Sequence, residues 1–544
     1  MKGRRLGALL LTVILALSMV SLTGCGSGGY VGSDSTSGGK TFVYAIGSSW
    51  DTLFPYGGSA EDYGRTTWNH MYGTFALIDN SDEILDYMTI PSESKMASDG
   101  KSITFKVNTN MKWSDGEKYS AEDWLYTFKT MTDPSVVCTM KNYFNIFKGI
   151  DANGNLESGA KISDAITVDG DTFTLYLDDA TNIDSFLYTY NNFFYVMPEH
   201  KLKDIAPADI PNSDYWNKPI TTGPFVLDSE IAGSQLTFKR NTYFPLWDDY
   251  SNIDTFVIKV VGTDVMIEGI ASGEISYVMS TLSANDCAEA VQLDGVSGEP
   301  MEEATMIVYM AINNQTIPDV RVRRALDLAL NREYMCNQIM GGHAFAVNTF
   351  ERSKYLNKDI KAEYNLEKAK KLLDEAAADG AFDYSKPIQA GIVSGFREQI
   401  ASVLKNDLAS IGVTLNITTG DATTINGKMQ ESGAYDICLV GGGMSADPAW
   451  PMNSLLNPAV SNYSQITDSK YFDICLKINS EQDEAKRAEL VNEFQKVMYE
   501  DSPYVFVFTM ESWKLYSSSL EFKTGSSSGT FTSTMPRFWT CKIK

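Results

Sequence analysis

The stretch Gly441-Gly442-Gly443-Met444-Ser445-Ala446-Asp447-Pro448 is where residue types and spacing speak most directly to chemistry. Three glycines directly after the apolar run YDICLV (435–440) let another backbone approach closely. A flexible surface loop suits the same composition, and Asp447 ahead of Pro448 suits a turn cap. Other candidates fail on context. The three histidines, His70, His200 and His343, are far apart, which argues against a His-rich metal centre or His-based acid/base work. Beyond Cys25, six cysteines run from Cys138 to Cys541 without a C-x-x-C pair, so they read as oxidised pairs or buried thiols and not as a metal cluster. Asp151-Ala152-Asn153-Gly154-Asn155 opens like a calcium loop, but Leu156 replaces the needed glycine and Ile162 the bidentate glutamate. It reads as a polar turn. Gly24, Gly26 and Gly29 fit G-x-G-x-x-G with no strand before them and no helix after. Gly525, Ser527 and Gly529 fit G-x-S-x-G inside a low-complexity run. A hydrolase would need a carboxylate pair or an activated nucleophile, and nothing marks one. No catalytic residue, metal or cofactor is assigned.

The elements that must position these residues are those of a large folded body. A length of 544 residues suits about three or four domain-sized units, and 43% apolar with 21% charged residues gives ample core. A net charge of −24 repels phosphate backbones, so nucleic acid is excluded as a partner. The first third reads as strands: TFVYAIG (41–47), SITFKVN (102–108) and DTFTLYL (171–177), with QLTFKRN (235–241) and TFVIKVVG (255–262) later. Ser120 and Asp123 cap one helix among them. From about residue 310 helical periods dominate. Asp319 to Met340 reads as one helix, Asn365 caps another that stops at Gly380, and 396–412 is a third, closed by Gly412. A last helix runs from Glu481 to about Glu500, with Ser480 and Asp483 as its capping box, and leads into YVFVF (504–508). The order suggests a β-rich front, an α/β second lobe, and a C-terminal return to the first.

The N-terminus carries its own signal. Lys2, Arg4 and Arg5 precede an apolar run from Leu6 to Leu22, long enough to leave an uncleaved anchor as one reading. Leu22-Thr23-Gly24-Cys25 resembles the bacterial lipobox, which implies cleavage before Cys25 and lipidation of its thiol. Residues 26–40 form a Gly/Ser-rich tether with a reach of roughly 20 Å.

Several stretches together resemble the oligopeptide/dipeptide/nickel class (family 5) of extracellular solute-binding proteins, the receptors of ABC importers. They are ITFKVNTNMKWSDGEKYSAEDWLYTF (103–128), TTGPFVL (221–227), LTFKRNTYF (236–244), IASGEISYV (270–278), AINNQTIPDVRVRRALDLALNRE (311–333), YNLEKAKKLLDEA (364–376) and EFQKVMYEDSPYVFVF (493–508). The resemblance implies an α/β two-lobe clamshell with an additional small β-rich subdomain on lobe one. Signal peptide would be 1–24 and tether 25–40, with lobe one at 41–75, 201–309 and 510–544. The subdomain would span 76–200 and lobe two 310–509. The hinge strands would lie near Tyr309–Asn313 and Phe506–Met510.

The implied role is a monomeric, lipid-anchored receptor outside the cytoplasmic membrane that passes short peptides to permease subunits. Alternative cargoes are a nickel chelate, an oligosaccharide or a signalling peptide. By the same resemblance, 441–445 lies against the ligand and Asp447 pairs with a peptide's α-ammonium, although Met444 and Ser445 stand where the family usually has an aromatic. Arg397 is the candidate for the carboxylate end, in a register off by about one residue, with a solvated helix-start arginine as its alternative. Ser48 and Ser49 would offer backbone groups to an extended ligand, with Trp50 and Trp450 as apolar walls. Trp113-Ser114-Asp115-Gly116 reads as a turn, and Arg321, Arg323 and Arg324 as a basic surface face.

Overall fold

The segment Lys40–Ile46 carries five consecutive buried residues, Phe42 to Ile46, because it lies inside a sheet covered on both faces. In the computed structural model it is the central strand of seven, in the order Val296–Pro300, Trp513–Ser517, Tyr277–Val278, Lys40–Ile46, Ile253–Val260, Gln235–Arg240, Phe225–Ile231. The structure describes residues 39–58, 62–78, 83–278, 282–301, 306–351, 354–432, 434–456, 462–523 and 537–544. Cys25, the signal segment, all but the end of the tether, and the run Gly525 to Gly529 lie outside them. Phe42 meets Phe538 edge-on at 4.9 Å, which brings the C-terminal segment back onto the first strand's core.

That core continues into the subdomain. Ser102–Lys106 and Thr172–Tyr176 pair antiparallel at the middle of a four-stranded sheet, with Lys95–Met96 and Ile166–Asp169 on its edges. Their inward rings, Phe105 and Phe173, join Phe75 and Trp124, the last two stacked at 4.5 Å. Trp124 stands on the helix Ala121–Met131, which the Ser120/Asp123 capping box opens as expected. Trp113 is fully buried and Gly116 closes its turn at φ +91°. Asp151 accepts the backbone N–H groups of Asn153 and Asn155, which makes the calcium-like run a polar turn.

Lobe two is a six-stranded sheet in the order Ala344–Ala346, Tyr504–Met510, Met306–Ile312, Ile437–Gly443, Ile388–Val393, Leu415–Gly420. Helices Val320–Leu328, Leu366–Ala378 and Phe396–Ser410 cover one face, and Ser469–Ser480 with Glu484–Asp501 cover the other. The chain passes between the lobes twice, side by side. Val296–Pro300 pairs with Trp513–Ser517 in the first sheet, Met306–Ile312 pairs with Tyr504–Met510 in the second, and the Met301 N–H donates to the Ser512 carbonyl between them. The crossing therefore lies several residues from the expected hinge strands, whose residues Tyr309 to Ile312 and Phe506 to Met510 belong to the second sheet.

Four further local expectations shift. The helix expected over Asp319 to Met340 breaks after Leu328 into a short turn and a π segment, because Arg332 turns inward to Asp327 and donates to the Phe506 carbonyl at 2.9 Å. The last helix begins at Glu484, since Asp483 itself caps the Lys486 N–H, while Ser480 ends the preceding helix. Arg321 is paired at the surface with Asp319 and Asp379, but Arg323 is buried, donating to the carbonyls of Asp501 and Pro318. The glycines extend a strand and do not form a loop. The six described cysteines are free thiols, all buried except the half-buried Cys138. Among the described residues no helix is long and apolar enough to cross a membrane, and no cluster of three or more His, Cys, Asp or Glu could hold a metal.

Candidate functional site

The strand Ile437–Gly443 has two unlike edges at its glycine end. On one side Gly441, Gly442 and Gly443 pair with Val308, Ile307 and Met306. On the other, pairing with Ile388–Val393 stops at Leu439–Ile392. Beyond Leu439 this edge has no strand partner among the described residues. The chain of the neighbouring strand turns away through Gly395, at φ +113°, into the helix Phe396–Ser410. Arg397, second in that helix, lies over Gly441, where a Cβ would collide with its guanidinium. A side chain at 441 would thus oblige the guanidinium of an arginine 44 residues earlier in the chain to shift.

Among the described residues Arg397 is a cation without an anion. Burial pulls its guanidinium below its ordinary value, opposed by the Cys438 thiol and the Tyr309 hydroxyl. Its ring-side neighbour is Phe396, at 4.8 Å. Its Nε is buried without a hydrogen-bond partner, and no carboxylate among the described residues pairs with it. Burial likewise pushes the Cys438 thiol up to about 12, with Arg397 acting to lower it. A half-buried guanidinium with an open donor beside an unpaired strand edge can accept a carboxylate and an extended backbone.

The opposite corner is internally paired. Asp447 and Arg487 are each about 97% buried or more and form an ion pair at 3.1 Å. Asp447 Oδ1 also accepts the Ser185 hydroxyl at 2.8 Å and the Ala449 N–H at 3.1 Å, and Oδ2 accepts the Thr189 hydroxyl at 3.2 Å. The Ala449 bond is the turn cap that the composition suggested. Arg487, on the helix Glu484–Asp501, donates further to Ser185 Oγ and to the Ile478 carbonyl. Ser185 and Thr189 stand on the subdomain helix Ile183–Tyr190, so this corner joins lobe two to the subdomain.

The remaining expected residues are scattered. Met444 and Ser445 are half-buried, and Ser445 Oγ accepts the Asp447 N–H at 3.1 Å. Trp450 is buried edge-on to Phe350 at 6.3 Å, with its indole N–H unpartnered among the described residues. Trp50 is buried in lobe one, where its indole N–H donates to Glu230 at 2.9 Å. Ser48 is exposed and Ser49 half-buried, and no hydrogen bond joins them to 441–450 among the described residues. Sequence reasoning missed Arg487, Ser185 and Thr189. One signal existed. Arg487 falls in register with Val491, Phe494 and Met498, a cation on the apolar stripe of its helix.

Residues 88–463 match the family described as bacterial extracellular solute-binding proteins, family 5, middle region. The oligopeptide-binding protein AppA of Bacillus subtilis is 24% identical over 93% of this chain and 94% of its own length. Its solved structure, a complex with a nonapeptide, superposes with a TM-score of 0.67 at 19% identity, covering 93% of this chain and 99% of that one. The ABC transporter substrate-binding protein CtaP of Listeria monocytogenes superposes at 0.75, with 18% identity and the same coverage. NikZ of Campylobacter jejuni, solved with Ni(L-His), gives 0.68 at 18% identity, covering 93% and 99%.

Proposed function

The chain belongs to the bacterial extracellular solute-binding proteins of family 5, and from that premise we propose that it captures short peptides between its lobes and hands them, unaltered, to the permease of an ABC importer. The observation that carries this reading is Arg397: a half-buried guanidinium, packed on Gly441, with no acid of its own among the described residues. A peptide laid along the open edge of Gly441 to Gly443 would place main-chain groups against the strand and its terminal carboxylate on Arg397. Ser48 and Ser49 would approach from lobe one, whereas Trp50 and Trp450 are buried in the cores of their own lobes and line no open wall. Recognition through main chain and end charge tolerates varied side chains. The names of relatives that bind oligopeptides agree with this cargo.

The lipobox-like Leu22-Thr23-Gly24-Cys25 supports a mature protein anchored through Cys25 on the outer side of the cytoplasmic membrane. Calorimetry with di- to pentapeptides tests the cargo. Wild type should bind stoichiometrically without turnover, and Arg397→Met should weaken binding by about tenfold or more. Equal affinity in the variant removes Arg397 from the site. A second cargo, a nickel–amino-acid chelate, would also bring carboxylates to Arg397, and NikZ was solved with such a ligand. Native mass spectrometry of freshly purified protein separates the two by the mass that co-purifies.

A further inference from the structure

The chain returns from lobe two to lobe one through Glu511 and Ser512, between the strands Tyr504–Met510 and Trp513–Ser517. A change in the angle between the lobes must be absorbed by a few backbone bonds at such a crossing. The backbone of Glu511 belongs to lobe two. Its N–H donates to the His343 carbonyl at 3.1 Å, one step beyond the pairing of Ala344 with Met510. Its carboxylate reaches the other way. Oε2 accepts the indole N–H of Trp513, the first residue of the lobe-one strand, at 2.9 Å.

The same oxygen lies 2.5 Å from His343 Nδ1, and because an ionised carboxylate only accepts, the imidazole donates. The His343 and Trp513 rings meet edge-on at 6.2 Å, so the three side chains close a triangle around the crossing. The His343 and Glu511 side chains are 23% and 14% exposed, which leaves water little access to compete for their bond. Two glycines present the histidine. Gly341 and Gly342 stand at φ +61° and +87°, which glycine adopts without strain. A methyl at Gly341 would meet the side chain of Asn285 on the lobe-one helix Ala284–Ala290, so this lobe-two turn also abuts lobe one. Away from the crossing the lobes meet again in a polar seam. There the Asn182 N–H donates to the Asn479 carbonyl at 2.6 Å, and the Gln482 side chain to the Thr181 carbonyl at 2.9 Å. Triangle and seam are made at one and the same lobe angle.

We propose that Glu511, His343 and Trp513 form a strap across the pivot: opening the cleft pulls the Trp513 indole from the Glu511 carboxylate, so the cluster sets the lobe angle and, through it, cargo affinity. A bond made only at one angle favours that angle by its own free energy, and the apparent Kd scales with the fraction of protein that holds it. For its cargo this rests on the peptide reading above. Glu511 acts as a positioning residue, since its effect on cargo passes through the lobe angle.

Small-angle scattering without cargo tests the strap. Glu511→Ala should show a larger radius of gyration than wild type. So should Trp513→Phe, which removes the indole N–H but keeps an aromatic ring and serves if the first variant does not fold. An unchanged radius in either folded variant overturns the strap. His343→Gln, which keeps a donor for the carboxylate, should stay at the wild-type radius, and a shift there equal to that of Trp513→Phe removes His343 from the strap. Calorimetry with tetraalanine reads the consequence. Trp513→Phe should raise Kd about threefold to tenfold, and an unchanged Kd beside a changed radius overturns the link from angle to affinity. If tetraalanine does not bind the wild type, the peptide reading falls, and scattering alone decides the strap.

Discussion

Two arginines, Arg397 and Arg487, sit on opposite faces of the lobe-two sheet and meet opposite fates. Arg487 is buried with a carboxylate, two hydroxyls and a carbonyl gathered around it and its partner. Arg397 is half-buried over Gly441, and no acid among the described residues answers it. The first arrangement is closed: the chain supplies both ions, and any third charged group is in excess. The second is half of an arrangement whose other half must come from outside. The contrast teaches that a buried charge marks a binding site only when its complement is missing, and that an aspartate in the expected position is not by itself a receptor for an amine.

The sharpest way to break the contrast is to remove one ion of the closed pair. Arg487→Met leaves Asp447 buried and unpaired, and urea unfolding should show a loss of about 3–5 kcal/mol, largely restored in the Asp447→Leu/Arg487→Met double variant. A loss below about 1 kcal/mol in the single variant would mean that the pair is solvated and the contrast false. Arg397→Met should behave the other way. Removing a cation that has no partner leaves stability unchanged or slightly raised, while peptide affinity falls by about 1.5–3 kcal/mol. A matching fall in stability would place Arg397 among the structural charges.

Gly441→Ala tests whether the two residues share one space. The added methyl meets the far end of the flexible Arg397 side chain, which can shift, so we expect little change in melting temperature and the main effect in peptide affinity. The smallest effect belongs to the seam. Gln482→Ala removes one bond from lobe two to the Thr181 carbonyl and should lower stability by about 0.5–1.5 kcal/mol, leaving the affinity for a C-terminal carboxylate untouched.

Much of this was legible in the chain. Periodicity and caps found the helices at Ala121–Met131, Leu366–Ala378 and Phe396–Ser410, because local hydrogen bonds at Ser120 and Asn365 and the positive φ of Gly380 and Gly412 are written in adjacent residues. Resemblance brought Arg397 and the glycine run into one site, and the structure does bring them together. The break after Leu328 was not legible, since its cause is a carbonyl at Phe506, 174 residues from Arg332. Nor was the glycine strand's extent: composition left loop and strand equal, and the pairing with Met306 to Val308 decided between them.

Asp447 marks the boundary between the two kinds of knowledge. Its residue type, its turn before Pro448 and its place after three glycines are properties of neighbouring residues, so the linear chain fixes them through local sterics and local hydrogen bonds. Which cation would face it is a different question. Arg487 lies 40 residues away and Ser185 and Thr189 about 260 away. Only the packing of a lobe-two helix against a subdomain helix puts them on one carboxylate. Charge complementarity acts through space at a few ångströms, and distance along the chain carries no record of it until the core has folded.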